Sequence, residues 1–446
     1  MTPPEHEVAL WDETAQGRLT GETLPDADLY GLTGLSTSRF GAYRAAALIR
    51  GRGKSVVAGG MDVTGHYLEG HGAELLQHYD AIVVGRLTRK LWRQVLDDCA
   101  RNGMRGVYQA DPEDPWEFPI PRHDLVDRKR YFAPATVRTS AGCTEACPFC
   151  VVHLVVGGRR VVHCKPARVL EKELEILPKS RFLVDVSDSF GSDYSHTVDV
   201  VLPLLRDSRR AWGAEMTVKA LLGGDDRRAL IQPMARSGCA AVLLGIESIH
   251  HPVGAKSLGA SVVEEGIKRA HDAGLLVMGA IILDLTGAET RASIEETVDW
   301  VNRVELDALQ YTLLGLLPGS VTRKVALRKN MLIDNNPEHL DGGWPTIAHP
   351  LSPKERIELR QWAFRNSYSY RSLLRKLLRP HVPGRMRIAA IGAFWHAHKC
   401  AARFQKLATY EQWLATRILP EHTGAGSSDP QHSSLHLAPT SSSETP

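Results

Sequence analysis

Short apolar runs alternate with amphipathic stretches along most of the chain, a pattern that predicts repeated strand–helix units. From about residue 181, the runs Phe182–Val186, Trp212–Val218, Ala241–Ile246, Leu275–Leu283 and Leu309–Leu314 recur at roughly the spacing of such a unit. Between them, Ser261 with Glu264 and Ser293 with Glu296 have capping-box spacing. Gly274 stands where a helix ending near Ala273 would stop. A strand at Thr136–Ser140 and a helix at Val169–Leu177, opened by Pro166, add the first unit. Six strand–helix units predict an α/β fold with a partial or complete barrel of parallel strands. The chemistry of such barrels collects at the carboxyl ends of the strands.

The pattern before and after this repeat is different. Residues 1–125 predict a smaller α/β unit with strands at Val8–Leu10, Leu29–Thr33, Ser55–Ala58 and Ala81–Val84, joined by helical stretches such as Ala45–Arg50. Gly59-Gly60 and Gly85 directly follow two of these strands, where open α/β sheets bind ligands. A Pro- and Asp-rich connector, Asp111–Pro121, leads into the barrel region. The expected division is residues 1–125, 126–325 for the barrel, 326–420 for a helical region opening at Ser352-Pro353, and 421–446 for a tail. That tail is rich in Ser, Thr, Gly and Pro and is expected to be disordered. The basic stretch Arg371–Arg387 reads as a solvated helix face.

Charge changes this picture little. With 54 Lys and Arg against 51 Asp and Glu, the net charge of +3 is too small for a nucleic-acid footprint. No apolar run approaches a membrane span, and Met1–Glu7 lacks a basic-then-apolar signal pattern, so a cytoplasmic protein is expected. The seven cysteines are an odd number spread over a long chain, which argues against a disulfide framework. Cys99, Cys164, Cys239 and Cys400 stand singly and read as small buried hydrophobes.

Cys143, Cys147 and Cys150 form a C-x3-C-x2-C loop directly after a predicted strand. One short loop of this kind brings three thiolates to one side of an iron–sulfur cube and leaves the fourth iron open to a substrate. Zinc is the alternative, and it would want a fourth ligand at familiar spacing. His153 is the near candidate and lies unusually close to Cys150.

The loop, its strand and its helix resemble the radical S-adenosylmethionine (SAM) superfamily over roughly residues 130–325. The resemblance implies a 4Fe–4S cluster on Cys143, Cys147 and Cys150, with SAM on the open iron and cleaved to a 5′-deoxyadenosyl radical. Phe149 matches an aromatic placed against the adenine. Gly245-Ile-Glu247-Ser248 resembles the fourth-strand segment that touches the SAM ribose or methionyl part, Met278-Gly279 the fifth-strand adenine segment, and Leu317-Pro318-Gly319-Ser320 a sixth-strand turn. Asp185, Asp188 and Asp193 cluster where the second strand should end, and the resemblance points to Asp185 for the SAM ammonium. Asp188, Asp193 and Glu215, the last sharing strand parity with Lys219, are candidate catalytic carboxylates in a cavity suited to a cationic, hydroxylated substrate. Helix capping is the plain alternative for several of them.

The small α/β unit followed by Pro121-Arg122, Tyr131 and the loop resembles the branch with an N-terminal, Rossmann-like cobalamin-binding domain. Here that domain reads as truncated, lacking a first strand. Asp62 stands where the branch commonly has His, and Arg86 where it commonly has Glu, in a position to obstruct a corrin. Cobalamin is therefore the disfavoured further cofactor. The first expectation is radical 1,2-diol dehydration of an aminoglycoside-type amino sugar, as in the diol-dehydrating radical SAM enzymes of antibiotic biosynthesis. Its implied partners are a flavodoxin- or ferredoxin-type electron donor and a separate NAD(P)H reductase, with no nucleic acid and no membrane. The alternative is a cobalamin-dependent C-methyltransferase. A binding or regulatory protein that has lost catalysis is the third reading, against which the Glu247-Ser248 pair and the full strand set count.

Overall fold

A computed structural model describes residues 1–101, 103–104, 106–131, 135–223, 229–250, 258–369, 372, 374 and 409–420. It is a mixed α/β structure with parallel sheets, divided into two compact units. The first comprises Met1–Thr144, Cys150–Asp188 and Leu317–Ser320; the second comprises Glu145–Phe149, Ser189–Leu316 and the described part of Val321–Pro446.

The first unit opens with four parallel strands, β1 (Leu29–Thr33), β2 (Ser55–Gly59), β3 (Ala81–Val84) and β4 (Val107–Gln109), which lie side by side in chain order. Both faces of this sheet are covered. Val56, Ala58, Ile82 and Val84 pack with Ala46, Ile49 and Leu75 from helices Arg39–Arg50 and Gly72–His78. Val57, Ala81 and Val83 pack on the opposite face with Leu91 and Val95 of helix Arg89–Ala100. Two-sided burial explains why β2 and β3 read as unbroken apolar runs rather than alternating ones. Each Val, Ile or Leu among them contributes about 1.5–3 kcal/mol when fully buried. Val8–Leu10 is not a strand: Leu10 is 48% exposed and the segment has no ladder partner, so three apolar residues alone did not make one. Val107–Gln109 is a strand too short to stand out in the sequence.

The same unit contains a parallel pair, β5 (Thr136–Val137) with β8 (Phe182–Asp185), and an antiparallel pair, β6 (Ser140–Gly142) with β7 (Val162–Cys164). The connector Asp111–Pro121 has no regular structure, yet it is fixed. Trp116 stacks on His163 of β7 with ring centroids 4.0 Å apart, and Phe118 lies under Lys165, which is itself buried in an ion pair with Glu173.

The second unit is built on four parallel strands, β9 (Ala211–Thr217), β10 (Cys239–Glu247), β11 (Leu276–Ile282) and β12 (Ala308–Thr312). Alternate residues Val277, Ile281, Leu309 and Tyr311 are buried, as are the apolar stripes of helices Ala260–Asp272 and Arg291–Val304. Two helix starts differ from expectation. Gly259 caps the first, leaving Ser261 inside it, and Thr290 caps the second in a capping box with Ser293. In both cases a residue upstream could adopt the cap conformation, so the helices start two and three residues earlier. Helix Pro353–Ser367 starts at Ser352, which pairs with Glu355 in a capping box. No helix among the described residues is long and apolar enough to cross a membrane. Cys400, nearly all of Arg371–Arg387 and the tail 421–446 lie outside the described residues.

Candidate functional site

The cysteine loop leaves β6 at Gly142, whose φ of +94° puts it in the left-handed region. A Cβ there would collide with the Val161 carbonyl just before β7, so only glycine fits. The backbone around it is held by carboxylates and hydroxyls from the end of β8. Asp188 accepts the Gly142 N–H at 2.7 Å and an Arg138 guanidinium N–H. Ser187 Oγ accepts from the Thr139 and Ser140 amides at 3.1 and 2.9 Å. Asp185 is 2% exposed and accepts from the Ser187 amide at 2.8 Å and from the Thr139 hydroxyl. Burial pushes the Asp185 carboxyl above the usual range, against the hydrogen bonds from Ser187 and Thr139.

Cys143 and Cys150 are half-buried, and Cys147 is 4% exposed. Three soft thiols on one glycine-hinged loop suit an iron–sulfur cluster by donor chemistry, and partial burial suits a site that must admit a ligand. In the second unit, Pro148 accepts the Thr322 amide at 3.0 Å, and Phe149 packs against the buried cluster of Leu285, Leu314 and Leu316.

At the carboxyl end of β10 the ladder to β11 slips between Gly245 and Glu247. Glu247 takes a φ of +62°, a conformation that costs a β-carbon residue of order 1–2 kcal/mol. The Ser248 amide turns back to Ile246 at 2.8 Å. This irregularity is at the strand end where barrel chemistry collects. Across the sheet, Glu215, Leu243, Met278 and Ala308 stand opposite one another in register, and Ala280 stands opposite Gln310 one tier nearer the carboxyl ends. Glu215 and Gln310 are exposed on their strands, and Met278 and Leu243 are partly exposed, so this row forms the open face of the sheet. Gly279 points the other way, where a Cβ would press on Leu306 and Ile246.

The structure thus separates the acidic residues that the sequence grouped. Asp185 and Asp188 support the cysteine loop. Asp193 is exposed and caps the helix Tyr194–His196, accepting the His196 amide at 2.8 Å. Glu215 lies on the open face, but β9 ends at Thr217 and Lys219 belongs to helix Val218–Leu222, so the two do not share strand parity. Sequence reasoning missed the Thr139–Ser187 support and Gln310. A lone Gln inside the apolar run Leu309–Leu314 was the available signal for the latter.

The carboxyl edge of the β1–β4 sheet does not match the expectation for Arg86. Its guanidinium donates to the Asp111 and Pro112 carbonyls at 2.7 and 3.0 Å, and to the Asp114 carbonyl, and so fastens the connector instead of obstructing the edge. Asp62 is buried in a two-bond pair with Arg39 at 2.9 and 2.6 Å. What covers the edge is other chain. Gly65 packs directly on the Pro318 carbonyl, Gly319 lies against Leu154 and Gly65, and Leu154 approaches Gly85. The Gly319 amide donates to Glu69 at 2.8 Å. The strand order has no reversal, so the sheet has no switch-point crevice either. These residues do not fit a corrin over this edge.

No protein-family model matches the chain. It is 26% identical over 377 residues to an uncharacterized methyltransferase of Pyrococcus horikoshii, covering 75% of this chain and 78% of that protein. It is 24% identical over 347 residues to a bacteriochlorophyllide d C-8(2)-methyltransferase of Chlorobaculum tepidum, covering 72% of each. Among solved structures, it resembles the cobalamin-dependent SAM radical enzyme OxsB with aqua-cobalamin bound, at a TM-score of 0.56 and 13% identity over 85% of this chain and 68% of that one. It also resembles the radical SAM methyltransferase TsrM of Kitasatospora setae with cobalamin and a [4Fe-4S] cluster bound, at a TM-score of 0.51 and 16% identity over 68% of each chain. At these identities the likeness is one of fold.

Proposed function

We propose that this chain is a radical SAM enzyme acting on a carbon centre of a small polar substrate. The observation that carries the reading is the C-x3-C-x2-C loop, hinged at Gly142 and supported by Asp188. When bound, a 4Fe–4S cluster with SAM supplies one-electron cleavage of SAM to methionine and a 5′-deoxyadenosyl radical. The chain's own residues divide the remaining work. Cys143, Cys147 and Cys150 hold the cluster, and Asp185 and Asp188 position their loop. Glu247, Ser248, Met278, Phe149 and Pro318 are the residues we assign to SAM. Glu215, with Gln310 one tier above on the open face, is the carboxylate we assign to the substrate. A one-electron donor of the flavodoxin or ferredoxin class completes the system.

Methyl transfer to carbon is the first reading. Both curated relatives are named methyltransferases, and each match covers more than two thirds of both proteins. Each transfer would consume two SAM molecules and two electrons from the donor: one SAM supplies the hydrogen-abstracting radical and leaves as methionine and 5′-deoxyadenosine, and the other gives up its sulfonium methyl and leaves as S-adenosylhomocysteine. This displaces diol dehydration from first place. Dehydration of an amino sugar remains the second reading because of one observation. The edge over Gly65 and Gly85, where a corrin would be expected, is filled by Leu154, Pro318 and Gly319.

The test is turnover of anaerobically reconstituted protein with methyl-deuterated SAM, a low-potential reductant and a panel of amino sugars and other polar acceptors. Mass spectrometry of the products separates the readings. Deuterated methyl in the product supports methyl transfer, and 5′-deoxyadenosine with loss of water from a diol supports dehydration. Absence of any reductive SAM cleavage overturns both. Hydroxocobalamin added before desalting should not be retained; stoichiometric retention would show that the edge opens to a corrin.

A further inference from the structure

One group of side chains has no part in the reading above. After β2 the helix Met61–His66 passes through a wide turn, Tyr67–His71, before continuing as Gly72–His78. The turn is broken at Gly70, which has a φ of +94°. Wide turns of this kind inside helices occur frequently at functional sites, because the extra residue re-aims its neighbours. Here it brings donor atoms of His66, Glu69 and His71 within 4.8 Å of one another. Glu74 adds a carboxylate oxygen 3.1 Å from His66 Nε2 and 3.5 Å from His71 Nδ1. The two imidazoles stack with centroids 4.2 Å apart.

His66 is the telling member. Its side chain is 7% exposed, and its Nδ1 is buried without a hydrogen-bond partner. Buried polar atoms are nearly always satisfied, and a metal ion is one group that satisfies a ring nitrogen. Its other nitrogen is held by a carboxylate, the arrangement that orients a metal-bound imidazole.

We propose that His66, Glu69 and His71 bind a divalent cation of the zinc class, with Glu74 as the carboxylate that orients His66. Two imidazoles and two carboxylates balance the charge of such an ion and match its borderline softness. Donors around tetrahedral zinc sit about 3.4 Å apart for bonds of about 2.1 Å, so a group spread over 4.8 Å must contract by up to about 1.4 Å. Rotation of His71, whose side chain is 46% exposed, supplies most of that movement, while buried His66 stays fixed. Glu69 also accepts the Gly319 amide. The ion would therefore stiffen the turn that carries Pro318 and Gly319.

The experiment uses reconstituted protein with its cluster in place, given zinc alone, washed with a chelator of moderate affinity, and assayed for zinc and iron by mass spectrometry. The expected result is one zinc per chain beyond the iron. His71→Gln and Glu69→Gln should each weaken zinc retention at least tenfold with iron unchanged, in the range found for altered metal sites. Wild type that retains no zinc, or the same zinc content in His71→Gln, overturns the proposal. The triple variant with Cys143, Cys147 and Cys150 changed to Ala must still retain zinc; its loss would assign the ion to the thiols and also overturn it. None of these outcomes depends on whether SAM is cleaved.

Discussion

Asp188 is the side chain that fastens the backbone at the start of the cysteine loop. Its carboxylate holds the amide of the residue just before Cys143 and also meets Arg138, which is 39% exposed. Exposure discounts the ion pair, leaving the hydrogen bond to the backbone as the main contribution. A bond to a charged acceptor is worth about 1.5–3 kcal/mol. Asp188→Asn should therefore lower the iron retained after reconstitution and desalting, and Asp188→Ala should lower it further. Full iron content and wild-type melting in both would remove Asp188 from the positioning role. Glu247 makes the opposite case, a side chain kept at the expense of the backbone. Its φ of +62° suits glycine, so Glu247→Gly relieves strain of roughly 1 kcal/mol. We expect melting within a few degrees of wild type but SAM affinity at least tenfold weaker by equilibrium dialysis. Unchanged affinity would separate Glu247 from SAM.

Close packing of elements carries the next set of consequences. Helix Met61–His66 touches the Leu317–Ser320 turn through Gly65, where a methyl group would meet the Pro318 carbonyl. Gly65→Ala should cost about 1–3 kcal/mol, the usual range for overpacking. Thermal unfolding should show the loss, while iron content stays at the wild-type level because the added methyl meets Pro318 and not the cysteines. After β11, Glu289 accepts from Thr286, Gly287 and His349 and is 5% exposed. Burial works against its charge, but the His349 bond and the bonds from the 286–289 turn outweigh burial and hold the carboxyl below its ordinary value. A depressed folded-state value means that Glu289 stabilises the fold at neutral pH. That contribution disappears as pH falls through the usual carboxylate range and then through the lowered value. Melting temperature should consequently fall less steeply with acid in Glu289→Gln than in wild type, and parallel curves would contradict the argument.

For the molecule as a whole, the cysteines are surplus to the fold. The described strands and their helices are held by apolar burial, and the loop contributes little of it beyond Cys147. Replacing Cys143, Cys147 and Cys150 together with Ala should abolish iron and the broad visible absorption of reconstituted protein. Circular dichroism should remain that of the cluster-free wild type. Four irons per chain in the triple variant would sink the cluster assignment.

Apolar runs located β8 to β12, because strands of a covered parallel sheet carry near-continuous apolar sequence, whereas the expected strand Thr136–Ser140 divides into β5 and the start of β6. Spacing alone marked the cysteine loop, because three thiols gathered on one loop must be close in sequence. Ser352 and Gly274 were legible as helix punctuation for the same local reason. The roles of the carboxylates were not legible. Asp185, Asp188 and Asp193 are neighbours in the chain, yet two support the loop from β8 and one caps a helix. That choice depends on which amides folding brings within about 3 Å. Arg86 reads as an obstruction until the connector folds back to receive it, and Gly65 reads as an ordinary helix residue until Pro318 packs against it. Local chemistry is written in the sequence, but partners tens to hundreds of residues away are chosen by packing, and only the tertiary structure could decide them.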